Sequence, residues 1–259
     1  MSTDSTTSLR KTALVTGAAK RIGRVIALAL AQRGWDVVVH YGSSAREAHA
    51  VVAEIEALGQ RALALSCKLN DEAAVKILVR RASAQLGPVS CVVNNAALFE
   101  HDSAASFSTA ALDAHMHTNL VAPVILAQAL YDATPDGAQS VVVNILDQKL
   151  FNLNPDFLSY TLSKAALHSA TTMLAQAQAP KVRVVGIAPG ITLLSGEQSE
   201  AGFARAHKVT PLGRSSTPDD IAAAVCFVAG SPAITGTTLV VDGGQHLIPL
   251  QRDVMFVAS

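Results

Sequence analysis

The feature that most constrains the fold is a regular alternation of short, β-branched runs with longer segments rich in alanine and leucine. Residues 12–16 form the first such run, residues 24–33 form the first breaker-free helical segment, and the order repeats through residues 237–241. Alternating strands and helices build right-handed βαβ units around a parallel sheet. The sequence therefore predicts one α/β domain over residues 11–247, a doubly wound, parallel, seven-stranded sheet of the Rossmann type.

The other elements follow from periodicity and from the positions of glycine and proline. Strands are predicted at 36–40, 61–66, 89–93, 140–146 and 181–187, and helices at 45–58, 70 or 71 to 86, 109–131, 157–178 and from 218 onward. Pro123 can bend the helix over 109–131, because proline removes a backbone donor. Residues 191–217 show no clear periodicity, and we expect them to form a substrate loop.

Composition excludes several classes of function. The chain carries 20 basic and 20 acidic residues, so its net charge of zero favours neither nucleic acid nor an acidic membrane surface as a partner. Cys67, Cys91 and Cys226 are odd in number and lie in apolar or small-residue runs, which favours buried thiols over disulfides or a metal site. Residues 1–10 lack the apolar core of a signal peptide, and we expect a flexible N-terminus on a cytoplasmic protein that acts on a small molecule.

A turn suited to phosphate follows the first predicted strand. Gly17 permits a tight turn, Gly23 would let the next helix lie close to the sheet, and the start of that helix offers unpaired N–H groups to a pyrophosphate. A pair of glycines alone is weak evidence, but these lie at the first strand–helix junction, which is where dinucleotide binding requires them.

The end of the second predicted strand indicates which dinucleotide is bound. A site that prefers NAD has a carboxylate here for the ribose hydroxyls. This chain instead has His40, Tyr41, Ser43 and Ser44 after that strand, together with Lys20 and Arg21 in the phosphate turn. Cations and hydroxyls suit a 2′-phosphate, so we expect NADPH as the cofactor. The simpler alternative for the two cations is a pair of solvated surface charges.

Tyr160 and Lys164 are four residues apart, which places them on one face of a helix. An ammonium beside a phenol would lower the pKa of the tyrosine toward neutrality and make it a usable proton donor or acceptor. Asp147 follows the fifth predicted strand, so it can meet this pair at the carboxyl edge of the sheet. The alternative is a chance pairing on a solvated helix face.

Taken together, these motifs resemble the short-chain dehydrogenase/reductase superfamily over residues 11–247. The resemblance rests on Thr16-Gly17…Gly23, Asn94-Asn95-Ala96-Ala97, Asn119, Tyr160…Lys164, Pro189-Gly190 and Val241-Asp242-Gly243-Gly244. It implies cofactor contacts from Gly17, Lys20, Arg21, Ile22, Gly23, His40, Tyr41, Ser43, Ser44, Asn70, Asn95, Ala96, Ala97, Pro189, Gly190 and Thr192. Asp71 is the alternative to Asn70 for the adenine contact.

Two departures from the superfamily pattern are similar to pteridine reductases and dihydromonapterin reductases. Asp147 stands where most members have serine, and Ala97 stands where most have glycine, with Phe99 two residues beyond. The resemblance implies a pterin held between the nicotinamide and Phe99, an Asp–Tyr–Lys catalytic set, and Arg21 facing the substrate or the cofactor phosphate. We expect Leu193 and Leu194 to form the wall of the pocket.

The same resemblance implies roles for the catalytic residues Asp147, Tyr160, Lys164 and Asn119. Lys164 would bind the nicotinamide ribose, Tyr160 would deliver the proton, and Asn119 would hold a water that links Lys164 to solvent. Asn119 could instead be a helix-capping or core amide. Asp147 could hold a proton or bond the N–H edge of a pterin, both of which suit a ring imine, or it could be a solvated loop acid.

The tail over residues 248–259 is unusually apolar for a chain end. Apolar surface of this kind is expected to be covered. Because the superfamily is commonly tetrameric, we expect a homotetramer in which the tail packs across a subunit interface and Arg252 lies near a neighbour's pocket. The alternative is a frayed tail.

The sequence therefore predicts an enzyme that reduces a pterin with NADPH. One alternative is an NADPH-dependent carbonyl reductase of the 3-oxoacyl or ketone type, which Asp147 disfavours. The other is a nucleotide-binding sensor or scaffold without turnover, which the intact set of Asn119, Tyr160 and Lys164 disfavours.

Overall fold

A computed structural model of the protein describes residues 11–194, 199–208 and 210–257. Seven parallel strands form one sheet in the order β3-β2-β1-β4-β5-β6-β7, which confirms the predicted doubly wound architecture. The strands are β1 Lys11–Val15, β2 Trp35–Tyr41, β3 Ala62–Ser66, β4 Val89–Asn94, β5 Ser140–Ile145, β6 Val182–Pro189 and β7 Thr238–Val241.

Ten α-helices accompany the strands in the part of the chain that the structure describes. They are α1 Arg21–Ala31, α2 Ala45–Ala57, α3 Glu72–Lys76, α4 Leu78–Leu86, α5 Thr109–Met116, α6 Ala122–Ala133, α7 Leu158–Gln178, α8 Glu200–Lys208, α9 Pro218–Gly230 and α10 Val254–Val257. Short 3-10 helices span Gln148–Phe151 and Gln245–Leu247, and a π-helical turn spans His117–Val121. None of the described helices is long and apolar enough to cross a membrane.

Two apolar cores lie on opposite faces of the sheet, because successive side chains of a strand point to opposite faces. Val93 of β4 belongs to the core that α1, α2 and α9 cover, whereas its neighbour Val92 belongs to the core that α4 and α6 cover. Cys67, Cys91 and Cys226 are free and buried, which confirms the prediction of buried thiols. Both cores leave the carboxyl edge of the sheet to the loops.

The helical predictions were wrong in three places. The third helix is broken at Ile77 into α3 and α4. The long helix over 109–131 is interrupted by the π turn His117–Val121, and Pro123 lies directly after that turn, at the start of α6. The segment 191–217, predicted as a loop, contains the short helix α8, whose buried residues are Gly202 and Ala206.

Candidate active site

The phosphate turn is braced to the loop that follows β4. Gly17 has a left-handed backbone with φ +62°, which glycine adopts without strain. The hydroxyl oxygen of Thr16 accepts hydrogen bonds from the backbone N–H groups of Asn95 and Ala96, each at 3.0 Å. The Asn95 side chain donates to the Thr16 carbonyl at 2.9 Å. The two loops therefore form one rigid floor at the carboxyl edge of the sheet.

Gly23 is required by the turn itself. A Cβ at this position would lie 2.3 Å from the Gly17 carbonyl oxygen and 2.5 Å from Nδ2 of Asn95. We expected Gly23 to bring the helix close to the sheet, but its nearest neighbours are the turn and the β4 loop. The glycine therefore lets the start of α1 close onto the turn.

His40 lies behind the phosphate turn and is 2% exposed. The Gly17 N–H donates to its Nδ1 at 3.1 Å, and its Nε2 lies 3.0 Å from the Cys67 carbonyl oxygen. An accepting Nδ1 and a donating Nε2 define the neutral imidazole. Burial lowers the pKa of His40 to about 4, against the opposing effect of the Cys67 carbonyl. His40, predicted to touch the cofactor, thus holds the phosphate turn through the Gly17 N–H.

The neutral state of His40 makes stability depend on pH. Its pKa is near 6.5 in an unfolded chain and about 4 when folded, so only the unfolded chain takes up a proton between these values. The contribution of neutral His40 to stability is therefore fully present above pH 6.5 and is lost as the pH falls. The free energy of unfolding at pH 4 should be about 3 kcal/mol lower than its value above pH 6.5. Urea unfolding of wild type and His40→Gln between pH 4 and pH 7.5 gives the free energy of unfolding at each pH. The contribution of His40 is the difference between the two proteins in the slope of that free energy against pH. Equal slopes would contradict a neutral, buried His40.

Lys20 and Arg21 both lie at the mouth of the phosphate turn and line the cavity described below. Lys20 is half-exposed and pairs with Glu47 at 3.1 Å. Arg21 donates from Nη1 to the Leu194 carbonyl at 3.0 Å, so it connects the turn to the loop after β6. Both cations are thus placed where an anionic group on a ligand could reach them.

Five predicted cofactor residues are not among the described residues that line this cavity: His40, Tyr41, Ser43, Ser44 and Asn70. Ser43 and Asn70 are exposed on the same edge of the sheet. Asp71, the alternative to Asn70, uses its side chain to accept from the Ala74 N–H at 3.1 Å and so caps α3. Contacts to an adenosine beyond the cavity remain a prediction for these residues.

The cavity occupies about 440 Å³ at the carboxyl edge, between the phosphate turn and α7. Among the predicted site residues it is lined by Gly17, Lys20, Arg21, Ile22, Gly23, Asn95, Ala96, Ala97, Phe99, Asp147, Tyr160, Lys164, Pro189, Gly190, Thr192 and Leu193. The structure therefore brings most of the predicted cofactor and substrate residues into one space. Leu194 is not one of the lining residues, and it contributes its carbonyl to Arg21 instead.

Asp147, Tyr160 and Lys164 meet in this cavity. The Tyr160 hydroxyl donates to Oδ2 of Asp147 at 2.9 Å, and the Lys149 N–H donates to Oδ1 at 2.8 Å. Lys164 is 2% exposed, donates to the Ile145 carbonyl at 2.6 Å, and has its ammonium 5.8 Å from the centre of the Tyr160 ring. Asp147 and Tyr160 thus form a hydrogen-bonded pair, and the Lys164 ammonium lies near the Tyr160 ring while it donates to the Ile145 carbonyl.

The prediction of a lowered tyrosine pKa was wrong for this structure. Burial, the charge of Asp147 and the hydrogen bond to it raise the pKa of Tyr160 well above its usual value. Burial lowers the pKa of Lys164 to about 8, with Asp147 opposing that shift. Burial also raises the pKa of Asp147 against the hydrogen bonds from Lys149 and Tyr160. The phenol is therefore protonated at neutral pH, and the carboxyl group has an increased affinity for a proton.

Asn119 is buried inside the π turn and holds the loop after β4 to α7. Its Oδ1 accepts from the Leu98 N–H at 2.8 Å, and its Nδ2 donates to the Leu98 carbonyl and to the Ser163 hydroxyl, both at 2.9 Å. Both amide hydrogens are used, whereas Oδ1 keeps one lone pair for a further donor. The side chain is thus a core brace, and a water relay through it remains a prediction.

Phe99 forms an aromatic wall beside Tyr160. Its ring stacks on Phe157 with centroids 4.4 Å apart and an interplanar angle of 15°, and it meets the edge of Tyr160 at 4.7 Å and 82°. Phe99 is 40% exposed although it lines the cavity. A partly exposed ring of this kind offers a face to a flat ligand.

The loop after β6 closes another side of the cavity. A Cβ on Gly190 would lie 2.5 Å from the Ser215 hydroxyl oxygen and 2.8 Å from Oε1 of Gln245. Thr192 is buried and donates to the Gly190 carbonyl at 2.8 Å. Thr192 therefore lines the cavity, with its hydroxyl shared between Gly190 and Ser216, and its contact with the cofactor remains a prediction.

Sequence reasoning missed several lining residues: Gln148, Lys149, Gln245, Asp253, Val254 and Met255. Gln148 and Lys149 directly follow Asp147, so their proximity could have been inferred from its placement. The proximity of the tail residues could not have been inferred, because their position depends on where the chain folds back.

Arg252, expected near a neighbour's pocket, pairs with Asp156 of its own chain. In the described residues, no cluster of three or more His, Cys, Asp or Glu side chains could hold a metal ion.

The chain is similar to known proteins in sequence and in structure. Residues 11–201 match the family model described as short chain dehydrogenase. A FolM alternative dihydrofolate reductase 1 from Brucella canis, solved with NADP, is 40% identical with a TM-score of 0.89, covering 93% of this chain and 96% of its own. A short chain dehydrogenase from Burkholderia cenocepacia J2315, also with NADP, is 34% identical with a TM-score of 0.84, covering 91% and 97%. A 3-oxoacyl-[acyl-carrier-protein] reductase of Staphylococcus aureus (strain N315) is 31% identical over 247 residues, 92% of this chain and 99% of its own.

Proposed function

Because this chain belongs to the short chain dehydrogenase family, we propose that it is an oxidoreductase that uses NADPH to reduce a pterin. The observation that carries the proposal is the hydrogen-bonded pair of Asp147 and Tyr160 beside the exposed ring of Phe99. The 40% identity to a FolM alternative dihydrofolate reductase 1 solved with NADP supports both the cofactor and the substrate class.

The residues of the phosphate turn fit the cofactor. Gly23 lets the start of α1 close onto the turn at Gly17, and the start of α1 presents N–H groups to a pyrophosphate. Lys20 and Arg21 supply positive charge for a 2′-phosphate, and Glu47 offsets part of it through Lys20. When bound, NADPH would supply the hydride, and the protein would hold and orient it.

The chain's own residues would handle the proton. Tyr160 keeps its proton at neutral pH and lies within 2.9 Å of Asp147, so it can release that proton to a substrate heteroatom. Asp147 would then take up a proton and pass it to the phenolate, because it lies within hydrogen-bond distance of the phenol oxygen and burial raises its pKa. Lys164 would stabilise negative charge on the phenol oxygen and bind the cofactor ribose.

Asp147 favours a ring imine over a simple ketone. A serine hydroxyl at this position would donate to a carbonyl oxygen, whereas a carboxylate can only accept. A pterin presents several N–H donors and a flat ring, which match Asp147 and the face of Phe99. A carboxylate facing a ketone oxygen would repel it.

A carbonyl reductase of the 3-oxoacyl type is the second candidate. The likeness to a 3-oxoacyl-[acyl-carrier-protein] reductase of Staphylococcus aureus favours it, at 31% identity. The two candidates share the cofactor site and differ at Asp147 and Phe99.

Parallel assays separate the candidates. NADPH oxidation is followed at 340 nm with a dihydropterin, an acetoacetyl thioester and a simple ketone, with NADH as the cofactor control. Turnover of the dihydropterin supports the proposal, and turnover of only the thioester or ketone contradicts it.

The assembly of the protein as a homotetramer remains a prediction, and sedimentation velocity would check it.

Asp147→Ser is expected to lower kcat/KM for the dihydropterin by about 10-fold to 100-fold, because it removes both the acceptor and the proton reservoir. The same variant should keep or gain activity on the ketone. Asp113→Ser, an exposed aspartate on α5, is the matched control and should leave both rates unchanged. An equal loss on both substrates would show that Asp147 does not select between them.

A further inference from the structure

The segment 252–257 folds back onto its own chain through two ion pairs. Arg252 forms a bidentate contact with Asp156, with Nε to Oδ2 at 2.8 Å and Nη2 to Oδ1 at 2.9 Å. The next residue, Asp253, contacts the ammonium of Lys149 at 3.2 Å and donates from its N–H to Asp156 at 2.7 Å. Two successive residues are thus clasped by groups that lie between β5 and α7.

The inner pair of this clasp joins a buried lysine to a mostly buried aspartate. The Lys149 side chain is 4% exposed and that of Asp253 is 16% exposed, and the Lys149 ammonium also donates to the Asp156 carbonyl. A buried charge is costly unless it is paired, so Asp253 and Lys149 depend on each other. The segment is therefore fixed at this point.

The clasp directs the following residues into the cavity. Asp253, Val254 and Met255 line it together with Asp147 and Tyr160. The Met255 N–H donates to Oδ1 of Asp253 at 3.1 Å, which ties the direction of α10 to the clasped carboxylate. The clasp thus holds an aliphatic wall beside the catalytic group.

Aromatic contacts extend the same wall to Phe99. Phe256 stacks on Phe157 with centroids 6.1 Å apart and an interplanar angle of 21°, and Phe157 stacks on Phe99. Arg252 lies over the Phe256 ring at 5.0 Å. The segment is therefore continuous with the ring that would face the substrate.

We propose that residues 252–257 form a specificity-determining wall that selects substrates by the size of the group attached to the reacting ring or carbonyl. Lys149 and Asp156 act as positioning residues for this wall. The inference rests on the proposed function for the identity of the substrate. We expect the wall to favour small substituents, because Val254 and Met255 line the same cavity as Tyr160. Side chains that occupy space in this cavity leave less room for a bulky substituent.

The test compares the ratio of kcat/KM for a long substituent to that for a short one. The pterin pair is 7,8-dihydrofolate and 6-methyl-7,8-dihydropterin, and the carbonyl pair is a long-chain and a short-chain 3-oxoacyl thioester. The series that wild type reduces is used. The variants are Met255→Ala and a chain that stops after Gln251, and Gln251→Ala, an exposed neighbour of the clasp, is the matched control.

We expect both variants to raise this ratio at least fivefold through KM, while the Kd for NADPH changes by less than about twofold. The Gln251→Ala control should keep the wild-type ratio. Thermal melting with NADPH shows whether the truncated chain is folded, and Met255→Ala decides the outcome if it is not.

An unchanged ratio in folded Met255→Ala overturns the wall, even if wild type reduces dihydropterins well. A wild type that reduces only the thioesters overturns the pterin proposal, and the ratio within the thioester pair still decides the wall. A wild type that reduces neither series overturns both.

Discussion

Replacing Tyr160 by phenylalanine is expected to lower kcat by about 10²-fold to 10⁴-fold, the contribution typical of a positioned proton donor. Phenylalanine keeps the ring that packs against Phe99 and loses only the hydroxyl that donates to Asp147 at 2.9 Å. The Kd for NADPH should change little. Stopped-flow oxidation of NADPH under saturating substrate measures kcat, and fluorescence titration measures the Kd.

Tyr131→Phe is the matched control for this loss, because Tyr131 is exposed near the end of α6 and is not among the residues that line the cavity. It should retain the wild-type kcat. A Tyr160→Phe enzyme that kept kcat within threefold of wild type would show that the proton comes from another group.

Gly23→Ala is expected to weaken NADPH binding by about 10-fold to 100-fold, which corresponds to about 1.4–2.7 kcal/mol. The added Cβ would lie 2.3 Å from the Gly17 carbonyl, and a backbone atom of a braced turn cannot move aside cheaply. Relieving the clash displaces the turn or the start of α1, and overpacking of this kind typically costs about 1–3 kcal/mol. Fluorescence titration measures the Kd, and thermal melting without cofactor separates lost binding from lost stability.

Gly230→Ala provides the control for adding a methyl group to a glycine. A Cβ on Gly230, the last residue of α9, meets nothing within 4 Å, so binding should be unchanged. If Gly23→Ala bound NADPH as tightly as wild type while remaining folded, the turn would not be the pyrophosphate site.

The order of strands and helices could be predicted because hydrophobic periodicity is set by which face of each element is buried. Val92 and Val93 illustrate the limit of that signal, since both are apolar and only the fold assigns them to different cores. The π turn around Asn119 gave no signal, because its sequence is compatible with a continuous helix. The helix α8 was missed because it buries only two small residues.

The candidate site was predicted where function is carried by short sequence motifs. Asp147, Tyr160 and Lys164 meet as their spacing indicated. The pKa values and the direction of the His40 side chain depend on burial, which residue spacing does not reveal. The pKa of Tyr160 rises because the phenol is desolvated beside a carboxylate, and His40 turns inward because Gly17 and Cys67 satisfy both of its ring nitrogens. Asp253 lines the cavity because the segment 252–257 folds back onto the domain, and no local sequence pattern predicts that fold-back.

The π turn between α5 and α6 sets a difference in helical phase. A π turn holds one more residue than an α turn, and each residue of an α-helix advances the side-chain direction by about 100°. The two helices differ in their main neighbours, since α5 packs against α7, whereas α6 packs more against α3 and α4 than against α7. We expect that removing the extra residue of the π turn would join α5 and α6 into one continuous helix and shift Asn119 relative to Leu98 and Ser163, its present hydrogen-bond partners. The extra residue of the π turn therefore lets one nearly continuous helical segment pack into the interior of the domain along α6 and also hold Asn119 at the catalytic edge.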